Sequence, residues 1–243
     1  MTKRGSLVAA GVLVTALLAA GAWFTPLPYV VWQPGPAIDV LGDDVITVTG
    51  AATYPSTGRL LLTTVAVDGD TDLAGALRAW FDEDEALVPR AASYPGDQAR
   101  RANQALFQQS SAAAVAGALT RLGKSGGAQV RINLDGIGGS SAGLMILLGI
   151  VDTLTPADLT GGTTIAGTGE LDPGGAVGPI GGIAQKLHGA GRAGARWFLV
   201  PAGNCDEAAG ITVPGLTTVR VATVDDALDA LDVIAAGGTP PPC

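Results

Sequence analysis

The chain predicts a folded body of mixed helices and strands. Three observations carry that expectation. Hydrophobic residues make up 47% of the 243 residues, enough for a sizeable core. Short runs rich in Val, Ile, Leu and Thr recur between turn signals. Two Gly-rich turns each open onto a stretch with helical apolar spacing. Aromatic residues are only 5%, so the core must be built mainly from Val, Leu, Ile and Ala.

The amino terminus is the first element. Lys3 and Arg4 precede an uncharged stretch from Gly5 to Phe24. That is about the ~20 residues that cross a bilayer as a helix. Positive charge before the span predicts an inside amino terminus and a body outside the cytoplasm. Ala20-Gly-Ala22 leaves a cleaved signal peptide open. The length of the span and Trp23 at its end favour a retained single-pass anchor in the cell membrane. Residues 1–25 are therefore expected to be an anchor or signal segment. Residues 26–36 hold four prolines, which exclude a helix and predict an extended stalk or edge strand.

Val45 to Thr49 and Arg59 to Val67 alternate as strands around a Tyr54-Pro-Ser-Thr-Gly58 turn, which predicts a hairpin. Asp72 to Phe81 reads as a helix capped near Asp70 or Thr71, followed by the acidic run Asp82 to Glu85 as a solvated helix end. Val88 to Asp97 reads as a loop, and Gln98 to Leu122 as one long helix ending at Gly123. Further strands are expected at Gln129 to Leu134, Thr163 to Thr168, Trp197 to Val200 and Thr217 to Val221. Helices are expected at Ser141 to Val151, Ile183 to Ala193, Asp206 to Ala209 and Val224 to Ile234, with a turn at Asp172 to Gly175. The Gly/Pro segment 235–243 reads as a flexible tail.

Composition removes several functions. A net charge of −8 without a basic face argues against nucleic acid. Gly123-Lys-Ser125 lacks the preceding Gly of a phosphate-binding loop, since that position is Ala118. The Gly136 turn misses a dinucleotide fingerprint, because its last Gly is Ser141. No nucleotide or other cofactor is expected. One His and two Cys are too few for a metal site of the usual kind. Cys205 and Cys243 form one bridge in an oxidising compartment, or stay as two unpaired thiols.

The chemistry sits in two segments. Gly136-Ile-Gly-Gly-Ser-Ser-Ala-Gly143 puts Ser141 at a Gly-rich turn before an apolar helix, where its hydroxyl is a candidate nucleophile. Backbone N–H groups at Gly139, Ser140 and Ser141 are candidate oxyanion donors. Gly178-Pro-Ile-Gly-Gly-Ile-Ala-Gln-Lys186 puts Lys186 in the first turns of another helix, beside Ile180, Ile183 and Leu187. With one His and three Lys, a Ser–His–Asp triad has little to draw on, and Lys186 is the candidate base. Such a Lys must lose hydration so that its pKa falls. Thr168, in Ala166-Gly-Thr-Gly-Glu170, is a candidate supporting hydroxyl. His188 follows Lys186 by two positions, so it points elsewhere on a helix and reads as a surface residue.

Gly139-Ser-Ser-Ala-Gly-Leu-Met145, Ala166-Gly-Thr-Gly-Glu170 and Val177-Gly-Pro-Ile-Gly-Gly-Ile-Ala-Gln-Lys-Leu187, in this order and spacing, resemble the proteolytic domain of Lon-type serine peptidases. Phe198 to Cys205 fits as well. The resemblance extends to membrane-anchored bacterial PDZ–Lon proteins through the anchor, Pro34-Gly-Pro36, Tyr54 to Leu60 and the long helix. It implies an α+β fold behind one transmembrane helix. It implies a proteolytic domain over 37–234, with a first half 37–123, a hinge 124–128 and a second half 129–234. It also implies hydrolysis of peptide or protein substrates without ATP, with Ser141 as nucleophile, Lys186 as general base and Thr168 in support. A ring or other homo-oligomer belongs to the same expectation. Two departures stand out. The interval Lys124 to Gln129 is too short for the PDZ domain, and Ser140 occupies a position that is usually Pro. They keep a rival reading on the table: a weakly active or inactive peptidase-fold scaffold at the membrane.

Overall fold

The computed structural model describes residues 3–69, 71–93, 96–134 and 136–243, without the side chains of Lys3, Arg4 and Ser6. The cap candidate Asp70 lies outside the described residues. In chain order the elements are α1 (Lys3–Trp23), β1 (Tyr29–Asp39), β2 (Ile46–Thr49), β3 (Arg59–Asp68), α2 (Leu73–Phe81), β4 (Ala86–Pro89), α3 (Asp97–Arg121) and β5 (Gln129–Ile132). Then come α4 (Gly143–Leu154), β6 (Thr164–Gly167), β7 (Glu170–Leu171), β8 (Val177–Gly178), α5 (Ile183–Arg192), β9 (Trp197–Pro201), α6 (Cys205–Ala208), β10 (Thr217–Val221) and α7 (Val224–Ala235). The chain divides into two compact units, Met1–Gln33 with Val67–Pro95, and Pro34–Ala66 with Gly96–Cys243.

In the smaller unit, the start of β1 pairs antiparallel with β4, with Tyr29 opposite Pro89 and Trp32 opposite Ala86. Trp32 Nε1 donates to Ser93 Oγ at 2.9 Å. Helix α2 is capped by Asp72, which accepts from the Gly75 amide, so the cap falls just after both sequence candidates. The acidic run is partly tied down, because Arg78 pairs with Glu85 at 3.1 Å. Helix α1 leaves Leu7, Val12, Leu13, Leu17, Leu18 and Trp23 exposed. Among the described residues, no helix is long and apolar enough to cross a membrane.

In the larger unit the strand order is β10-β9-β6-β3-β1. The pairs β3–β6, β6–β9 and β9–β10 are parallel. Alternation along these strands builds two cores. Leu60 and Leu62 of β3, Ile165 of β6, and Trp197 and Leu199 of β9 face a core with α3, α4 and α7. Leu61, Ala166, Phe198 and Val200 face the opposite core with Ile183, Leu187 and Ala190 of α5. Separate antiparallel pairs, β2–β5 and β7–β8, complete an α+β architecture.

Three expectations are corrected or narrowed here. Strand β2 does not form a hairpin with β3. It pairs with β5, Ile46 opposite Ile132, because strand alternation says nothing about which edge is free. For the proline-rich segment the stalk alternative gives way to the strand alternative, since residues 29–39 form β1. Pro36 accepts at its carbonyl from Thr64 Oγ1 at 2.8 Å, a bond that needs no proline N–H. Nor is the 235–243 segment a loose tail. Cys243 is bridged to Cys205, the Arg220 amide donates to Pro241 O at 3.2 Å, and Pro242 pairs with Val219.

Candidate active site

The loop after β5 delivers Ser141 to the N-terminal end of α4. The helix itself begins at Gly143, so Ser140 and Ser141 sit in the turn before it. The end of β6 delivers Thr168 between two glycines. A Cβ at Gly167 would lie 2.6 Å from Met145 Sδ, and one at Gly169 would lie 3.2 Å from Leu144 Cβ. Only glycine on both sides lets α4 pack this closely on the strand end. The Leu144 amide then donates to Gly169 O at 3.1 Å, and the Gly169 amide to Ser141 O at 2.9 Å.

Helix α5 delivers Lys186. Gly182 starts it with φ 71°, a left-handed conformation that suits glycine. Ile183 and Leu187 anchor the helix in the second core. Lys186 is only 4% exposed. Its Nζ lies 2.9 Å from Ser141 Oγ and 2.9 Å from Thr168 Oγ1. Burial lowers its pKa from 10.5 to about 8, because the ammonium has lost its water without gaining a carboxylate. Thr168 Oγ1 donates its own proton to Ser141 O at 3.1 Å. Its lone pairs are thus left for a Lys186 N–H. A neutral amine held this way directs its lone pair at the Ser141 hydroxyl.

The structure therefore brings Ser141, Lys186 and Thr168 together. It does not leave all three candidate oxyanion amides free. The Gly139 N–H already donates to Asn103 O of α3 at 2.8 Å, which leaves the amides of Ser140 and Ser141. His188 is half-buried on α5, not a surface residue. Cys205 and Cys243 form a disulfide with a Cα separation of 5.1 Å. Among the described residues, no cluster of three His, Cys, Asp or Glu side chains could hold a metal ion.

Two supporting residues escaped the sequence. Asn204 is buried and grips Ile180 from both sides: Oδ1 accepts from the Ile180 amide and Nδ2 donates to its carbonyl, each at 2.9 Å. This fixes the loop leading to Lys186. Ser110 of α3 donates to Ser140 O at 2.7 Å. Both are common polar residues, and nothing local marks them.

A buried amine of lowered pKa, touching a serine hydroxyl at a helix start, is the arrangement of a serine hydrolase that uses lysine as its base. Residues 135–234 match the model of the Lon protease (S16) C-terminal proteolytic domain. The match supports a Lon-type serine peptidase domain over this part of the chain. Two curated relatives agree. Lon protease 2 of Bacillus subtilis (strain 168) is 28% identical over 189 residues, 76% of this chain and 32% of that protein. Lon protease of Azospirillum brasilense is 39% identical over 93 residues, 37% of this chain and 11% of that protein. The chain thus spans at most about a third of the length of these relatives.

Proposed function

We propose that the chain is an ATP-independent serine endopeptidase with its body outside the cytoplasm, held at the cell membrane through the exposed apolar side chains of α1, although α1 falls short of a membrane-crossing helix. The observation that carries the activity is the Ser141–Lys186–Thr168 cluster, with all three polar atoms linked at 2.9 Å contacts through Nζ. Neutral Lys186 takes the Ser141 proton as Oγ bonds to the peptide carbonyl carbon. The carbonyl oxygen becomes an oxyanion held by the Ser140 and Ser141 amides. Lys186 then returns the proton to the leaving amine as the C–N bond breaks, giving an ester on Ser141. Water, deprotonated by Lys186, attacks the ester, and Lys186 returns that proton to Ser141 Oγ as the ester bond breaks and the acid is released.

The anchor rests on the uncharged Gly5 to Phe24 stretch and on the exposed apolar side chains of α1. The location rests on Lys3 and Arg4 before that stretch and on the disulfide, which persists in oxidising compartments. Protease shaving of intact cells tests both: a body outside the membrane is cut without lysis, and a protected body refutes the topology.

The activity is tested by intact-mass analysis after incubation with a peptidyl phosphonate. One adduct on Ser141, absent from Lys186→Ala, is the expected result. A Ser141→Ala variant with full nucleotide-free peptidase activity would sink the assignment. A folded protein that never labels or cleaves would favour the scaffold reading.

A further inference from the structure

We propose that Ser110 is a positioning residue for this reaction, fixing the Ser140–Ser141 peptide plane so that the Ser141 amide is aimed as an oxyanion donor. The proposal rests on the Ser–Lys peptidase reading above.

The argument starts from the peptide unit. No cis peptide occurs among the described residues. In a trans peptide, the carbonyl and the following N–H point in opposite directions within one plane. Whatever holds the Ser140 carbonyl therefore also sets the direction of the Ser141 N–H. The holder is Ser110, 6% exposed on α3, with Oγ 2.7 Å from Ser140 O. A second donor, the Gly143 amide, is more distant at 3.4 Å. The carbonyl is thus drawn towards α3, and the Ser141 N–H faces away from it.

The next plane is held from the other side. Ser141 O accepts from the Gly169 amide at 2.9 Å and from Thr168 Oγ1 at 3.1 Å. Both planes flanking the nucleophile are therefore fixed by side chains or backbone distant in sequence. Helix α3 also grips the loop one step earlier, where the Gly139 amide donates to Asn103 O at 2.8 Å. Asn103 and Ser110 lie seven residues apart, so they share one face of the helix. Space for the Ser110 hydroxyl depends on Gly143, whose Cβ would lie 2.6 Å from it. The neighbouring Ser111 is a natural control. Its hydroxyl is buried and has no partner among the described residues.

The test compares wild type, Ser110→Ala, Ser110→Cys, Ser110→Thr and Ser111→Ala in peptide hydrolysis and phosphonate labelling. Cys is close in size to Ser but a poor donor, so it keeps the packing and removes the hydrogen bond. Ser110→Ala and Ser110→Cys are expected to lower kcat about 10- to 100-fold, below the full loss of an oxyanion donor. KM and the pH midpoint of kcat stay at wild-type values, because the dyad is untouched and the interaction is made only in the transition state. Ser110→Thr restores kcat to within a few-fold of wild type, and Ser111→Ala leaves it unchanged. The proposal is overturned if folded Ser110→Cys keeps kcat within twofold. It is also overturned if the loss comes with a shifted pH midpoint, or appears equally in Ser111→Ala. A wild-type protein that neither labels nor cleaves would overturn the peptidase reading first, and this inference with it.

Discussion

Helix α4 carries a buried ionisable neighbour at each end, and the two ends behave differently. At its start, Lys186 Nζ meets two hydroxyls and no charge. At its end, the buried Asp152 accepts from the Leu159 amide at 2.8 Å. Burial pushes the Asp152 carboxyl up, and the nearby Asp158 charge adds to this, against the Leu159 and Ser56 hydrogen bonds. Burial acts on Asp158 in the same direction, but hydrogen bonds from Thr160 and Thr57 outweigh it and hold its carboxyl well below the usual range. Both ends thus use desolvation to favour a neutral group. Only the first places that group against a nucleophile at an open helix start. A perturbed pKa marks a buried group, and geometry decides whether the group can do chemistry.

Removing either partner of the dyad should give the largest effect. Ser141→Ala and Lys186→Met are each expected to lower kcat by about 10³-fold or more in peptide hydrolysis. Lys186→Met should also raise the melting temperature. Its sign follows from linkage. Between about pH 8 and 10.5 the folded state binds fewer protons than the unfolded one. The penalty for burying Lys186 is therefore complete below about pH 8 and is relieved as pH rises towards 10.5. A shift of this size corresponds to a penalty on the order of 3 kcal/mol, which the Met variant avoids. Thermal melts at pH 7 that show Lys186→Met less stable than wild type would break this side of the comparison.

The pH dependence of kcat/KM comes next. Activity should rise through about pH 8 as Lys186 becomes neutral. A flat profile across this range would remove Lys186 as the titrating base. Thr168→Val should follow with a fall in kcat of about 10- to 100-fold, since the Lys186 N–H loses the Thr168 acceptor and Ser141 O keeps only the Gly169 amide. A fall confined to KM would assign Thr168 to substrate binding.

The other end of α4 should give the smallest effect. Asp152→Asn is expected to keep kcat within twofold, because its amide oxygen still accepts from Leu159. A carboxyl whose folded pKa is raised contributes stability below its ordinary pKa and loses it as pH rises through the folded value. The variant should therefore flatten the wild-type decline in melting temperature above about pH 4. A large loss of activity would join the two ends of the helix into one functional unit.

Much of this was legible in the chain. The Gly-rich turns, the scarcity of Lys and the helical spacing after each turn point to Ser141 and Lys186. Thr168 was legible from its place between two glycines. Other features were not. The hairpin between β2 and β3 looked local, but β2 found β5, some eighty residues away, because pairing depends on which edge the larger unit leaves open. The closing Gly/Pro segment looked disordered, and its order comes from a disulfide and from pairing with β10. Gly139 looked like an oxyanion donor, and its amide is spent on Asn103.

The sequence by itself determined which groups are chemically able to act, since periodicity, turn residues and composition are local properties. Only the tertiary structure decided their state. Lys186 approaches neutrality because α5 and the ends of α4 and β6 together exclude water from its amine, and desolvation belongs to no single segment. In the same way, Ser110, Asn103 and Asn204 matter through partners roughly thirty residues away, a relation that spacing along the chain does not encode.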